Sequence, residues 1–437
     1  LFRPGLVRLA GEDHVLVIST HHLISDGWSL GVMKRELAAI YSSIVAGDRD
    51  GLPDAVQFSE YVAWRDDQRA VAEPYWLNLF AERPAQLDLP LDKARPPVRS
   101  FDFGSERVII DEALMASLKR LATQQGVSML TVLLAAGEIL LHRLSGQTEF
   151  VSGVFSSGQA SIGARDLVGL CADLLPLPVR VTPDERLSDY LARVNRSTYD
   201  ALDHQGYTVG QLASSLQLAR DVSRPVLAST VITLTEPVQD VAFGGLRATP
   251  SSHGRRSFGL FDLEAYLKES KTGIAVDLQY SSALFEANTI QRWLRHYVHL
   301  LRQLEDRLLE PVGQLGLLDD SERHELLTRW NDTSRPTLDR PSVARIEAQV
   351  ARHPDRQAVR SSGGSITYGQ LNRRANQLAR YLRSQGVAAE RLVGIHLDRS
   401  PDILVAMLAI HKAGGAFVPL DPMFPPERLT TIARDTG

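Results

Sequence analysis

Cysteine is almost absent. Cys171 stands alone among 437 residues, so no disulfide can close within the chain, which fits a reducing, cytoplasmic compartment. No apolar run approaches the ~20 residues needed to cross a bilayer. The longest, Met129 to Leu141, is interrupted by Gly137 and Glu138 and reads as a buried helix. No membrane association is therefore expected. A basic excess is also missing: the net charge is -4, and no basic stripe offers itself to nucleic acid. The chain opens at Leu1 with no charged-then-apolar leader and no initiator Met, so it reads as processed or as beginning inside something larger. Repeats and low-complexity tracts are lacking. What remains is a globular composition, 44% hydrophobic and 23% charged, able to bury large cores. At ~100–200 residues per domain this length predicts two to four folding units.

The pattern predicts alternating strands and helices, hence an α/β architecture with mixed sheets. Leu6–Leu9 and His14–Ile18 flank the polar turn Gly11–Asp13 as a hairpin. A helix follows Gly27, with Leu30, Val32, Met33, Leu37, Ile40 and Tyr41 near helical spacing, and ends at Gly47 before Asp48 and Arg49. Pro84, Pro90, Pro96 and Pro97 exclude a continuous helix and suggest a lobe boundary. Beyond it lie strand Ser105–Ile110, an Asp111-capped helix with Leu114, Leu118 and Leu121, helix Leu130–Leu144 and strand Phe150–Phe155. The polar cluster Trp330–Pro336 reads as a linker. The pattern then restarts: helix Val343–Ala351, a hairpin from Val359 to Ile366 turning at Gly363–Gly364, helix Tyr368–Gln385, strand Leu392–Leu397, helix Asp402–Lys412, strand Ala416–Pro419 and helix Pro426–Arg434.

The sharpest local signal is Ser19–Thr20–His21–His22–Leu23–Ile24–Ser25–Asp26–Gly27–Trp28–Ser29. Two adjacent histidines end a strand, an aspartate follows four residues after the second, and a glycine leads into a helix. Neighbouring strand residues face opposite ways, so one histidine can face a cleft while the other packs inside. Gly27 is expected to permit a tight turn. A positioned imidazole suits acyl transfer, taking or holding a proton of the nucleophile near neutral pH. On local grounds a packed histidine pair satisfying its own hydrogen bonds stands beside that reading. A metal site from His21, His22 and Asp26 is disfavoured, because adjacent strand residues diverge and no second His/Cys cluster has ligand spacing. Cys171, in the apolar run Leu167–Leu175, reads as packed rather than catalytic.

These residues resemble the condensation-domain family of nonribosomal peptide synthetases. Its His-His-x-x-x-Asp-Gly signature is matched in full from His21 to Gly27. Five further segments fall in the family's order. They are Phe58–Trp64, Leu167–Leu177, His204–Tyr207, Arg220–Leu227, and the closing pair Phe261–Leu263 with Tyr280–Phe285. Asp173 stands where the second of these usually has Asn, and Pro178 displaces its usual Arg to Arg180. Beyond the linker, Ile366–Leu371 and His411–Pro422 resemble the first two motifs of an adenylation domain. Gly414–Gly415 reads as a helix-terminating turn rather than a nucleotide loop, and Lys412 as structural.

The resemblance implies a two-lobed, chloramphenicol-acetyltransferase-like condensation fold, then an incomplete, N-terminal part of an adenylate-forming domain. Residues 1–95 would be the remainder of the first lobe, 96–320 the second, 321–342 a linker and 343–437 the adenylation start. His22 would act as base or positioning group, with His21, Asp26 and Gly27 supporting the motif. An early Arg commonly pairs with that Asp; here Arg3 or Arg8 would have to substitute. The expected reaction joins an upstream carrier-bound acyl or peptidyl thioester to a downstream carrier-bound aminoacyl thioester as an amide, inside a larger megasynthase. No cofactor would bind directly. Phosphopantetheine would arrive on partner carrier domains, and ATP with Mg would serve only a complete adenylation domain. The segments Leu170–Leu177 and Phe261–Leu267 look more like condensation domains downstream of polyketide modules than like ordinary L-to-L ones. A freestanding CoA-dependent acyltransferase, an epimerization-type relative and an inactive carrier-docking module remain alternatives. The attached adenylation start weighs against the first, Trp28–Ser29 against the second and the intact histidine motif against the third.

Overall fold

The computed structural model describes all residues except 49–51, 53, 83–84, 236–240, 250–257, 271, 336–340, 362 and 437. Arg49, Pro84 and Pro336 thus lie outside the described residues. Two compact units divide the chain, Leu1–Asn331 and Asp332–Gly437.

In the first unit, β1 (Phe2–Arg8) and β2 (His14–Thr20) pair antiparallel from Phe2↔Thr20 to Arg8↔His14. α1 (Gly27–Ala46) ends on Gly47, whose φ of 75° is the left-handed conformation that glycine adopts without strain. α2 (Phe58–Leu79) follows. Residues 85–101 then form no regular element. Next come β3 (Phe103–Asp111), α3 (Glu112–Gln125), α4 (Met129–Ser145), β4 (Glu149–Ser157), the one-turn α5 (Gly158–Ser161) and β5 (Ala172–Arg180). After these lie α6 (Leu187–Asp203), α7 (Val209–Ser215), β6 (Thr230–Thr235), β7 (Leu263–Ser270), β8 (Gly273–Ser281) and α8 (Ala287–Gln303). α9 (Asp320–His324) runs into a π-helical turn, Glu325–Arg329, so the start of the 321–342 segment is helical.

Six strands form one mixed sheet in the order β3-β8-β7-β6-β4-β5. The β4–β6 and β6–β7 pairs are parallel and the others antiparallel. Its main core packs α3, α4, α6 and α8 on one face. α8 shows why: Ile290, Trp293, Leu294, Tyr297 and Leu301 recur at helical spacing and are buried, while Arg292, Arg295 and Arg302 fall between them. α4 is buried continuously from Thr131 to His142. The two residues that interrupt its apolar run both serve the core. At Gly137 a Cβ would stand 2.3 Å from Ile232 Cδ1, so only glycine lets α4 lie this close to β6. Glu138, 4% exposed, accepts a 2.7 Å hydrogen bond from the Tyr190 hydroxyl. Among the described residues no single helix is long and apolar enough to span a membrane.

In the second unit, α10 (Ser342–Arg352) precedes the antiparallel pair β9 (Gln357–Ser361) and β10 (Gly364–Thr367), then α11 (Tyr368–Ser384). β11 (Leu392–Ile395), α12 (Pro401–Ala413) and β12 (Ala416–Pro419) make a β-α-β unit with parallel strands, and α13 (Pro426–Asp435) follows. Leu371, Ala375 and Ala379 of α11 pack on Val405, Leu408 and Ala409 of α12. Gly414 terminates α12 in the left-handed conformation.

Burial pushes the Glu138 carboxyl up to about 7, against the lowering effect of the Tyr190 hydroxyl and Arg193. A carboxyl raised in the folded state favours folding fully below its unfolded pKa and loses that contribution as pH rises through the folded value. The loss should be on the order of 3 kcal/mol between pH 4.5 and 8. Thermal melts across that range should show wild type falling more steeply than Glu138→Gln; parallel pH profiles would refute the assignment.

Candidate active site

The hairpin ends at Thr20, and the histidines stand beyond it, in a turn closed by the Ile24 N–H donating to the His21 carbonyl at 3.0 Å. This corrects the expectation of a strand-borne pair: in a turn the two rings need not diverge, and both residues are exposed, neither packing inside. The His21 backbone N–H donates to the Leu1 carbonyl at 2.7 Å, and its ring Nδ1 accepts from the Leu23 N–H at 3.1 Å. His21 therefore braces the turn. Among the described residues the His22 ring has no hydrogen-bond partner.

Four residues on, burial is abrupt. Ser25 is 3% and Asp26 4% exposed. Asp26 caps α1, its Oδ1 accepting from the Ser29 N–H at 2.9 Å and lying 2.8 Å from the Ser29 hydroxyl. The same carboxylate reaches across the chain. Gln159 Nε2 donates to both oxygens at 3.2 and 3.0 Å, and the peptide N–H groups of Cys171 and Ala172 donate to Oδ2 at 3.0 and 3.1 Å. Among the described residues no arginine takes part. Arg8 instead donates to the carbonyls of Ala10 and Gly11, and Arg3 is exposed on β1. The expected Arg partner is replaced by amides, which satisfy a buried carboxylate without a second buried charge.

Ser29 extends the network, its Oγ lying 2.9 Å from the Gly169 carbonyl and accepting from the Gly169 N–H at 3.1 Å. Trp28 Nε1 donates to the Arg165 carbonyl at 2.8 Å, and Arg35 pairs with Asp166 at 3.0 Å. Gly27 departs from expectation. Its φ is not positive, and a Cβ there would meet nothing within 4 Å. The helix start comes from Asp26 and Ser29 rather than from glycine's freedom.

The other ordered segments build the wall behind this cradle. In Phe58–Trp64, Phe58 lies over Gly169, where a Cβ would come within 2.2 Å of the ring, and Tyr61 donates to the Cys171 carbonyl at 3.1 Å. Gly158 fits under Tyr61, where a Cβ would be 2.7 Å from the Cys171 carbonyl oxygen. Burial, with Asp26 nearby, pushes the Cys171 thiol up to about 12, so it stays neutral and packs. His204 stacks on Tyr75 with centroids 3.9 Å apart, while Gln205 accepts from Ser161 at 3.2 Å. Arg95 holds Asp262 with bonds of 3.1 and 2.6 Å, and Arg224 pairs with Asp88 at 2.9 Å. In the second unit Lys412 bonds Asn372 at 2.8 Å and Glu347, its side chain 6% exposed, which is a structural placement. Among the described residues no group of three or more His, Cys, Asp or Glu is gathered as a metal site.

The model of the condensation-domain family matches residues 1–327. This chain belongs to the condensation-domain family. The AMP-binding enzyme model matches residues 346–437, so a partial adenylation region follows the condensation domain. Tyrocidine synthase 3 of Brevibacillus parabrevis is 32% identical over the whole of this chain, which covers 7% of that protein. Surfactin synthase subunit 1 of Bacillus subtilis is 33% identical, again over the whole chain and 12% of the relative. The chain thus spans only a small fraction of these relatives' length. Among solved structures, a four-domain nonribosomal peptide synthetase bound to AMP and glycine superposes with a TM-score of 0.88 at 23% identity, covering 100% of this chain and 34% of that one. The first condensation domain of the calcium-dependent antibiotic synthetase superposes with a TM-score of 0.60 at 22% identity, covering 73% and 70%.

Within this condensation domain, the sequence motif located the histidine turn but not Ser29 as a second hub or Gln159 as a partner of Asp26. Gln159 is fully buried beside a carboxylate 133 residues earlier, and no local pattern announces it. Replacing Asp26 by Asn would turn an amide N–H toward the donors of Cys171 and Ala172. The expected cost is about 2–4 kcal/mol, since charge-assisted bonds are lost and buried donors orphaned. Thermal unfolding should show Asp26→Asn melting several degrees below wild type; coincident melts would mean the cradle contributes no stability.

Proposed function

We propose that the condensation domain forms an amide between an upstream carrier-bound acyl or peptidyl thioester and a downstream carrier-bound aminoacyl thioester, as part of a larger cytoplasmic synthetase. The observation that carries this reading is the pairing of an exposed His22, its ring unengaged, with a turn rooted in a saturated, buried Asp26. Residues 1–95 and 96–320 would be the two lobes and 321–342 the linker. Both thioesters would ride on phosphopantetheine arms of partner carrier domains, which makes the encounter effectively intramolecular.

In the step proposed, the acceptor amine nitrogen attacks the donor carbonyl carbon. The C–N bond forms, the C–S bond breaks, and the donor carrier leaves as a thiolate. His22 takes or steers the proton shed by the nitrogen, and that proton ends on the thiol. His21 would hold the turn through Leu23, and Asp26 would fix its root. Gly27 would leave the space beside the turn open.

His22→Ala in the full-length synthetase that carries this chain should lower amide formation roughly 10²–10⁴-fold. Loading of the downstream carrier should stay intact, as mass spectrometry of the carrier would read. Near-normal amide formation by the variant would remove His22 from the mechanism. ATP and Mg would be used by a complete adenylation domain. Residues 343–437 contain no Gly-rich, Ser/Thr-rich loop to cradle phosphates, and Lys412 is engaged by Asn372 and Glu347. The 437-residue chain alone should therefore give no amino-acid-dependent ATP–pyrophosphate exchange, and exchange above a no-enzyme control would show the second unit misread.

A further inference from the structure

The first unit ends at Asn331, after two stretches that are held very differently. Residues 308–316 are tied down repeatedly. The N–H groups of Ser188 and Leu187 donate to the carbonyls of Leu308 and Glu310 at 2.9 and 3.0 Å. Those of Val312 and Gly313 donate to the carbonyls of Glu185 and Pro183, both at 2.8 Å. Arg143 donates to the Leu315 carbonyl at 2.7 Å. The Gln303 amide bonds both the N–H and the carbonyl of Gly316, at 2.9 and 2.8 Å. Beyond Gly316 the ties thin out. Leu317 still packs against the core, but α9 and the π-helical turn bury no residue, and Leu327 and Trp330 are 59% and 66% exposed. The element is bonded mostly to itself: Asp319 caps Glu322, Arg329 pairs with Glu325, and Asn331 donates to the carbonyls of Leu326 and Leu327. Among the described residues one hydrogen bond joins it to the rest of the unit. That bond links His296 of α8 to Glu322, Nε2 to Oε2 at 2.8 Å.

The bond is poised rather than firm. His296 is 6% exposed, and its Nδ1 is buried without a partner. A carboxylate only accepts, so the imidazole donates to Glu322 through Nε2. The closed contact thus gains one hydrogen bond while keeping one orphaned nitrogen. With α9 lifted away the ring can turn toward water, so the net advantage of closure is small. The element cannot hold its own shape either. α9 and the π turn have five residues each, and isolated helices shorter than ~12–15 residues are marginal in water. We propose that His296 and Glu322 form a latch that sets the length of the tether between the two units. Closed, the tether starts at Asp332. Open, the short helix unwinds and the tether starts at Leu317. Residues 317–331 then add on the order of 50 Å at full extension, at ~3.3–3.6 Å per residue. For linked modules a change of tether length resets the effective concentration at which they meet. The inference does not depend on which reaction the condensation domain performs.

Hydrogen exchange read by mass spectrometry tests this on the full-length synthetase, comparing wild type, Glu322→Ala and Asp320→Ala. Each variant removes one acidic group from the first turn of α9, and alanine is the best helix former, so the latch is what distinguishes them. In Glu322→Ala, peptides covering 317–331 should exchange about tenfold faster or more, while those from α8 and 308–316 stay as in wild type. Asp320→Ala should match wild type throughout. Trypsin should cut after Arg323 and Arg329 correspondingly faster in Glu322→Ala. A dye pair, one dye on each unit, should report a broader distribution of distances in that variant. Unchanged exchange at 317–331 in Glu322→Ala would overturn the latch. An equal change in Asp320→Ala would also overturn it, by assigning the effect to first-turn charge. Faster exchange spreading into α8 or 308–316 would make Glu322 a support of the whole domain instead. Faster exchange at 317–331 with an unchanged distribution of distances would remove the role in tether length.

Discussion

A single buried carboxylate ties together three distant stretches of the condensation domain. Asp26 takes hydrogen bonds from the first turn of α1, from Gln159 next to β4, and from the two peptide groups that open β5. Charge-assisted bonds of this kind contribute roughly 1.5–3 kcal/mol each, and a buried charge lacking them costs several. The arrangement is therefore nearly all-or-none: if β5 shifts, the cap of α1 fails with it. The choice of donor matters as well. A guanidinium on a long side chain can follow its partner, whereas peptide N–H groups at a strand mouth cannot. A carboxylate held by amides has its position dictated by the sheet, and the histidine turn inherits that position.

Much of the fold was legible because its signals are local. The Asp111 cap, the glycine stops at Gly47 and Gly414 and the β-α-β pattern around α12 each depend on neighbours within a few residues, and each is found in place. The site was legible only in part. His21 to Gly27 announces itself as a motif, but a two-residue period carried one step too far put the histidines on a strand. The chain leaves the ladder at Thr20, and the turn is set by hydrogen bonds that periodicity does not encode. Gly27 misled in the opposite sense, since glycine suggests unusual backbone and here the backbone is ordinary. The amides that replace the expected arginine were invisible for a simpler reason. A peptide N–H belongs to every residue type except proline, so no side-chain identity betrays it.

The same limit applies to the residues that look like defects in one dimension. Gly137 and Glu138 break an apolar run, and α4 continues through both, as the reading of one buried helix expects. One removes a methyl group that would strike Ile232, and the other gives the Tyr190 hydroxyl a partner in the core. Gly158 and Gly169 act likewise beneath Tyr61 and Phe58. In each case the small or polar residue is explained by what lies opposite it in space, which is why the aromatic segment and the glycines of the 158–171 stretch make sense only together.

The histidine turn is consequently supported from one side much more firmly than from the other. Toward its C-terminal end lie Ser25 and Asp26, both buried, the Thr20–Ser25 hydroxyl contact at 2.8 Å and the whole amide cradle. Toward its N-terminal end lies a two-stranded hairpin whose Leu6, Val7, Leu16 and Val17 are 69%, 50%, 47% and 46% exposed. An isolated two-stranded ribbon is marginal in water, because neither face buries enough apolar surface to offset the entropy of ordering it. The role proposed for His22 needs positional precision to within about 0.5 Å. Asp26 can impose that on the root of the turn, but the imidazole of His22 projects from the first half, which is shared with the hairpin. The placement of the ring therefore depends on two unequal anchors: a saturated carboxylate that fixes where the turn ends, and the two-stranded ladder with the His21 to Leu1 backbone bond, which sets where it begins.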